Sequence, residues 1–168
     1  MLTVQQRHIL RMVASCLVAL VLTALGMAAA PAPASAATCT YHTDRVFPGS
    51  YPSGIRYGEV NFSFEACSNQ SPSAWVMKVT KQQVNATGKN MGFFIDGVFV
   101  RVDGSGSNYK YFTGIIDAST CTPRIGWPCS RSYTFTAEYT VYLDRSGTPN
   151  ITIGRRTAPS GMRLYSTP

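Results

Sequence analysis

Residues 132–143 read SYTFTAEYTVYL, and apolar side chains alternate with polar or hydroxyl-bearing ones along the whole stretch. The odd-numbered positions carry Tyr, Phe, Ala, Val and Leu, whereas the even-numbered ones carry Ser, Thr, Glu and one Tyr. Successive side chains of a β-strand point to opposite faces of a sheet, so this pattern predicts a long strand with one buried face. No window after residue 36 has a comparable helical period. We therefore expect an all-β domain.

The same alternation recurs in residues 60–65, where Val and Phe alternate with Asn, Ser and Glu. It recurs again in residues 75–80, where Trp75 is the bulkiest apolar side chain. Large apolar side chains on one face of a strand are usually buried. Trp75 is therefore expected in the core.

Turn residues separate these predicted strands. Asp96-Gly97 alone stands between the apolar runs 93–95 and 98–102, and a two-residue Asp-Gly link is typical of a β-hairpin. Longer loops are predicted at 103–108 and 144–150. The resulting chain of about seven to nine short strands favours an antiparallel β-sandwich, with a small β-barrel as the alternative.

The first 36 residues have the order of a secretory signal peptide. Arg7 and Arg11 precede an uncharged apolar stretch from residue 12 to about residue 30, which ends in the small residues PAPASAA. We place the cleavage after Ala36, because Ala34-Ser35-Ala36 has the A-x-A pattern. An uncleaved anchor is the alternative, since the apolar stretch is almost long enough to span a bilayer. We expect residues 37–168 to form one secreted, extracellular domain with no stable membrane anchor.

Cys39, Cys67, Cys121 and Cys129 remain after that cleavage. An even number of cysteines in a secreted chain indicates disulfides, and four cysteines allow three pairings. We expect Cys39–Cys67 and Cys121–Cys129, because each cysteine then joins its nearest neighbour and the loops do not interlock. No C-x-x-C pair supports a zinc site, and the oxygen-rich loop 103–108 has too few carboxylates for calcium. We predict no metal and no cofactor.

The positive charge of the chain is spread along its length. The formal net charge is +7, and it falls to +5 when Arg7 and Arg11 leave with the signal peptide. The one adjacent basic pair is Arg155-Arg156, and no nucleic-acid-binding motif occurs. We therefore expect no nucleic-acid partner. A monomer that adheres weakly to anionic surfaces, such as a cell envelope, fits this charge.

Catalytic residue types are scarce. A Ser-His-Asp triad needs a histidine, and the only one after residue 36 is His42, close to the expected N-terminus. No G-x-S-x-G motif occurs. We predict a non-catalytic binding protein. The alternative is a small secreted hydrolase that uses paired carboxylates, drawn from Asp44, Glu59, Glu65, Asp96, Asp103, Asp117, Glu138 and Asp144.

The ring closed by a Cys121–Cys129 disulfide would hold Arg124 and Trp127, which belong to the residue types most enriched at binding hot spots. A preorganised loop loses little entropy on binding, so Arg124 is a candidate for the acidic pocket of a trypsin-like protease. The ring is similar in length and in its Cys-Thr start to the reactive loop of Bowman–Birk inhibitors, which implies protease inhibition. Pro123 stands where that loop has its basic residue. A purely structural link between strands is the alternative.

Tyr109, Tyr111, Tyr142 and Trp127 are candidates for a carbohydrate-binding platform. Aromatic rings present flat apolar faces, and tyrosine and tryptophan add a polar group at the edge. Such rings can pack against the face of a sugar while hydroxyl and amide groups bind its hydroxyls. The sequence leaves the ligand open between an envelope polysaccharide and a secreted protease.

Overall fold

The computed structural model describes residues 37–123 and 128–167, so the predicted signal peptide and residues 124–127 of the ring lie outside it. Its strands are β1 (Cys39–Ser50), β2 (Gly58–Cys67), β3 (Val76–Val84), β4 (Phe93–Ser105), β5 (Tyr109–Cys121), β6 (Cys129–Leu143), β7 (Pro149–Thr157) and β8 (Met162–Ser166). A 3₁₀ turn (Pro72–Ala74) precedes β3, and a short helix, α1 (Ala86–Asn90), follows it. Neither helical segment in these ranges has the length and apolar character needed to cross a membrane.

The strands form two antiparallel sheets of four strands each. The order is β3-β2-β1-β8 in the first sheet and β4-β5-β6-β7 in the second. Buried side chains from both sheets make up one hydrophobic core. This is the predicted antiparallel β-sandwich, and its eight strands lie within the predicted number. The two-sheet arrangement excludes the barrel alternative.

The alternation in residues 132–143 is confirmed by the burial of β6. Phe135, Tyr139 and Val141 are at most 1% exposed, whereas the intervening side chains lie on the outer face of the second sheet. The ring of Tyr139 lies 4.8 Å, centroid to centroid, from the ring of Phe64 in the first sheet. Aromatic pairs at this separation stabilise a core beyond the area that they bury.

Both predicted disulfides are present. Cys39–Cys67 joins residues that are paired across β1 and β2, and Cys121–Cys129 joins residues that are paired across β5 and β6. The indole Nε1 of Trp75 donates a hydrogen bond to the carbonyl oxygen of Cys67 over 3.2 Å. Trp75 is 1% exposed and lies in the core as predicted, just before β3.

The predicted hairpin at Asp96-Gly97 is wrong. β4 runs without interruption through both residues, and its pairing with β5 shifts register between Ile95 and Gly97. The Asp96 carboxylate accepts a hydrogen bond from the Ser119 hydroxyl over 3.0 Å, and a Cβ on Gly97 would lie 2.7 Å from the ring of Phe99. The pair therefore forms a β-bulge. β4 also extends through the first part of the predicted loop 103–108 and ends at Ser105. The turn that joins β4 to β5 is therefore at residues 106–108.

Gly114 of β5 gives a test of core packing. A Cβ at this position would lie 2.5 Å from the ring of Phe62, which is fully buried, so the ring could move only by disturbing its core neighbours. We expect Gly114→Ala to lower the free energy of unfolding by about 1–3 kcal/mol, as overpacked cores do. Gly104→Ala is the control, since its Cβ would meet only one atom at 3.8 Å. Equal stability of the two variants in urea titration would contradict the packing described for Gly114.

Candidate functional site

The three candidate tyrosines lie together on the outer face of the second sheet. Tyr109 and Tyr142 are direct partners across β5 and β6, and directly opposed residues of an antiparallel pair share a face. That face is the outer one, because Tyr139 and Val141 of β6 point into the core. Tyr111 follows Tyr109 on the same side of β5, and their ring centroids are 4.9 Å apart. Tyr111 is 44% exposed.

The turn between β4 and β5 holds Tyr109 in place. The backbone N–H of Gly106 donates to the Tyr109 carbonyl over 2.9 Å. A Cβ on Gly106 would lie 2.4 Å from the Tyr109 ring, so only glycine leaves room for the ring to pack over the turn. The N–H of Leu143 donates to the Asn108 carbonyl over 2.8 Å and ties the turn to β6. The aromatic pair therefore stands on a braced hairpin.

A groove of about 350 Å³ runs beside Tyr111 across the same face. We call this groove and the three tyrosines the tyrosine groove. Its lining combines the outward-facing ring of Tyr111 with charged groups and hydroxyls, and the inward-facing residues Phe112 and Tyr139 also border it. The side chains that share the outer face are Arg101, Asp103, Tyr111, Thr113, Glu138 and Thr140, and Gly154 lies at one end.

Arg101, Asp103 and Thr113 form a connected set in the floor of the groove. Arg101 Nε donates to Asp103 Oδ1 over 2.5 Å, and the Thr113 hydroxyl donates to Asp103 Oδ2. The hydrogen bond from Thr113 lowers the pKa of Asp103 most, Arg101 lowers it further, and partial burial opposes both. Asp103 is therefore an ionised carboxylate whose two oxygens accept hydrogen bonds from Arg101 and Thr113. It is not a free carboxylate in a loop, as the calcium interpretation of residues 103–108 would require.

Glu138 lies at a break in the pairing of β6 with β7. The register shifts between Ala137 and Tyr139, so the Glu138 side chain stands on the outer face opposite a bulge. Gly154 of that bulge passes close to Glu138, and a Cβ on it would lie 3.2 Å from the Glu138 carbonyl oxygen. The absence of a side chain at Gly154 leaves the end of the groove open.

The remaining predicted binding residues, Arg124 and Trp127, lie outside the described residues. The base of their ring is described: the N–H of Thr122 donates to the Pro128 carbonyl over 3.1 Å. The N–H of Cys121 donates to the Gly92 carbonyl over 2.7 Å. These contacts join the ring to β5 and to the turn before β4.

The hydrolase alternative has two carboxylates in the groove, Asp103 and Glu138. A glycoside hydrolase needs one carboxyl group that holds a proton at its working pH, which requires a raised pKa. The pKa of Asp103 is shifted the other way. In residues 37–123 and 128–167, no cluster of three or more His, Cys, Asp or Glu could hold a metal ion.

Most of the groove was missed by the sequence reasoning. Arg101 and Asp103 are two residues apart, so they lie on the same side of a strand. This spacing is the one feature of the sequence that could have predicted their grouping. Thr113 and Glu138 join them only through the pairing register of β4, β5 and β6.

Comparison of the chain with protein-family models, with curated proteins and with solved structures finds no match. What the groove binds is inferred from its own chemistry.

Proposed function

We propose that the protein is a secreted, non-catalytic carbohydrate-binding protein that holds an envelope polysaccharide in the tyrosine groove. The observation that carries the proposal is the grouping of Tyr109, Tyr111 and Tyr142 on one outer face beside a polar groove. The two disulfides are typical of proteins that work in an oxidising compartment, which fits an extracellular role.

The aromatic part of the groove suits the apolar face of a sugar ring. Tyr111 is 44% exposed and lies against Tyr109, so part of its ring is available while its position is supported. A supported ring loses little conformational entropy when a ligand packs on it. Tyrosine also keeps a hydroxyl at its edge for a hydrogen bond. This combination favours an uncharged pyranose unit over a purely apolar ligand.

The polar part of the groove suits the hydroxyls of the same chain. Arg101 offers guanidinium N–H donors beyond the one directed at Asp103, and Thr140 offers a hydroxyl. Glu138 supplies an exposed acceptor at the open end. Donors and acceptors in one groove match a ligand whose hydroxyls both donate and accept. The lowered pKa of Asp103 favours binding over hydrolysis here.

The test is retention on insoluble polysaccharide. Oxidised wild-type protein is incubated with cellulose, chitin or peptidoglycan, and the fraction left in solution is measured over a range of polysaccharide concentrations. We expect at least one polysaccharide to retain the wild type. Tyr111→Ala and Tyr142→Ala should each weaken retention about tenfold, as truncation of an aromatic anchor does.

Tyr41→Ala is the matched control, because Tyr41 is a 70% exposed tyrosine on β1 of the other sheet. It should be retained like the wild type. Failure of all three polysaccharides to retain the wild type would overturn the proposal, and so would equal retention of Tyr111→Ala and Tyr41→Ala. Arg124→Ala should also be silent. If the wild type instead captures a secreted protease and Arg124→Ala does not, the ring is the functional site.

A further inference from the structure

The outer face of the first sheet carries a stack of arginines and aromatic rings. Phe47 and Tyr165 are partners across β1 and β8, and Gly49 is the partner of Arg163. The guanidinium carbon of Arg56 lies 4.6 Å from the Phe47 ring centroid and 5.9 Å from that of Tyr165. The guanidinium carbon of Arg163 also lies close to Tyr165, 5.7 Å from its ring centroid. The Tyr165 ring therefore contacts two guanidinium groups.

Tyr51 completes the stack, since its ring centroid is 5.9 Å from the guanidinium carbon of Arg163. Tyr51 is 57% exposed. We call the five residues the arginine–aromatic cluster: Phe47, Tyr51, Arg56, Arg163 and Tyr165. It lies on the sheet opposite the tyrosine groove, so it belongs to a different face of the sandwich.

Backbone contacts hold the cluster in shape. The N–H of Ser50 donates to the Ile55 carbonyl over 2.9 Å, and the N–H of Tyr51 donates to the Gly161 carbonyl over 2.9 Å. The Tyr165 hydroxyl donates to the Ser50 carbonyl over 2.7 Å. A Cβ on Gly49 would lie 2.2 Å from the Ile55 carbonyl oxygen, so glycine lets the segment before Arg56 lie flat on the sheet.

The charge of the cluster is not balanced by any carboxylate in residues 37–123 and 128–167. Arg45, Arg101 and Arg156 each pair with a carboxylate. In the part of the chain that the structure describes, neither Arg56 nor Arg163 forms a salt bridge, and neither guanidinium donates a hydrogen bond. Each guanidinium has five N–H donors in a planar fork that matches a carboxylate or a phosphate. Two positive groups around one ring leave a site that an anion would stabilise.

We propose that the arginine–aromatic cluster is a second binding site, for an acidic polysaccharide that carries a carboxylate or phosphate group on its repeating unit. The acidic groups of the chain pair with these guanidinium groups, and an adjoining sugar packs on the exposed ring of Tyr51. Guanidinium pairs with such anions form short, charge-assisted hydrogen bonds. A cleft of about 560 Å³ is lined by Arg163 and Tyr165 and also by residues of β7, Gly154 among them, and it leaves room for the chain to continue toward the edge of the sandwich.

Two arginines suit one acidic group per sugar unit better than they suit a nucleic acid. Nucleic acids need several basic side chains along a phosphate backbone, and the cluster has Arg56 and Arg163 alone. The interleaved rings also favour a ligand with apolar faces between its charges. The proposal goes beyond the tyrosine groove, because it adds a ligand class and a site on the other sheet.

The test measures affinity for soluble polyanions by calorimetry at low ionic strength. The probes are polygalacturonate, poly(glycerol phosphate), neutral dextran and single-stranded DNA. We expect the wild type to bind polygalacturonate, poly(glycerol phosphate) or both more tightly than DNA. Any binding of dextran should be unaffected by substitutions in the arginine–aromatic cluster. Arg56→Gln with Arg163→Gln should weaken that binding about tenfold or more. Tyr51→Ala, which leaves both charges and the buried face untouched, should weaken it less but measurably.

The control is Arg131→Gln with Arg145→Gln, which removes the same charge from two exposed positions elsewhere. It should change the affinity little, and Tyr111→Ala should leave it unchanged. Equal weakening by both double variants would overturn the proposal, since it would indicate general charge attraction. Tightest binding to DNA, or no binding to either polyanion, would overturn it too. Loss on Tyr111→Ala would place the anion in the tyrosine groove and also overturn it.

Discussion

Replacement of Asp44 by alanine is expected to lower the free energy of unfolding by about 3 kcal/mol. The Asp44 carboxylate is 5% exposed and accepts hydrogen bonds from Tyr139 Oη at 2.7 Å and from Arg156 Nη2 at 2.8 Å. Without it, Arg156 keeps a largely buried charge with no carboxylate, and the Tyr139 hydroxyl loses its acceptor. The Arg156 side chain is 21% exposed, so partial hydration keeps the loss moderate.

Tyr139→Phe separates the contribution of the Tyr139 hydrogen bond to Asp44 from that of the Arg156 ion pair. Burial is the largest cause that raises the pKa of Tyr139, and the Asp44 charge adds to it, so the phenol stays neutral and donates to Asp44. Removing this one donor should cost about 1–2 kcal/mol. Urea titrations of the oxidised proteins measure both variants. If Asp44→Ala costs no more than Tyr139→Phe, the pair with Arg156 does not stabilise the fold.

Trp75→Ala is expected to cost about 3–5 kcal/mol, the range for large aromatic side chains removed from a core. Trp75 is 1% exposed, and its indole N–H bonds the Cys67 carbonyl. Its own carbonyl accepts a hydrogen bond from Lys110 Nζ over 2.7 Å. Loss of the ring would therefore leave a cavity, and would also loosen the segment that anchors Lys110.

Val76→Ala is the matched control for Trp75→Ala. Val76 is the next residue and points outward, with 48% of its surface exposed, so its truncation should change stability by no more than about 0.5 kcal/mol. Far-UV circular dichroism is the suitable probe, because the substitution removes one of only two tryptophans. Similar unfolding midpoints for the two variants would contradict the core position of Trp75.

The fold class and both disulfides were predictable from local pattern. The alternation in residues 132–143 needed nothing but the two-residue period of a strand, and the burial of Phe135, Tyr139 and Val141 follows it. The pairing of Cys39 with Cys67 followed from nearest-neighbour order. These features depend on the period of single strands and on the order of the cysteines along the chain, which a sequence carries directly.

The Asp96-Gly97 pair shows where local pattern fails. An isolated Asp-Gly between apolar runs is typical of a hairpin, but β4 pairs along its whole length with β5 and absorbs the pair as a bulge. Tertiary pairing therefore overrides turn propensity here. Buried polar groups were missed for a similar reason. Lys110 lies on the inner side of β5, where burial lowers its pKa and its Nζ bonds the carbonyls of Ser73 and Trp75.

The tyrosine groove was predictable in part. The tyrosines were candidates by residue type, but their grouping needs the register that pairs Tyr109 with Tyr142. A one-residue slip would have put Tyr142 on the buried face. The partners Arg101, Thr113 and Glu138 come from three strands, so their meeting depends on two registers at once. No single-strand pattern carries that information.

The most direct test of the carbohydrate-binding proposal is an NMR titration of isotope-labelled protein with an oligosaccharide released from the polysaccharide that retains it. For an uncharged oligosaccharide, which the arginine–aromatic cluster does not bind, the proposal predicts the largest amide shifts in residues 109–113 and 138–142, with little change in β1 and β8. Shifts concentrated in residues 121–129, or shifts of similar size on both sheets, would contradict the assignment of the sugar site to the tyrosine groove.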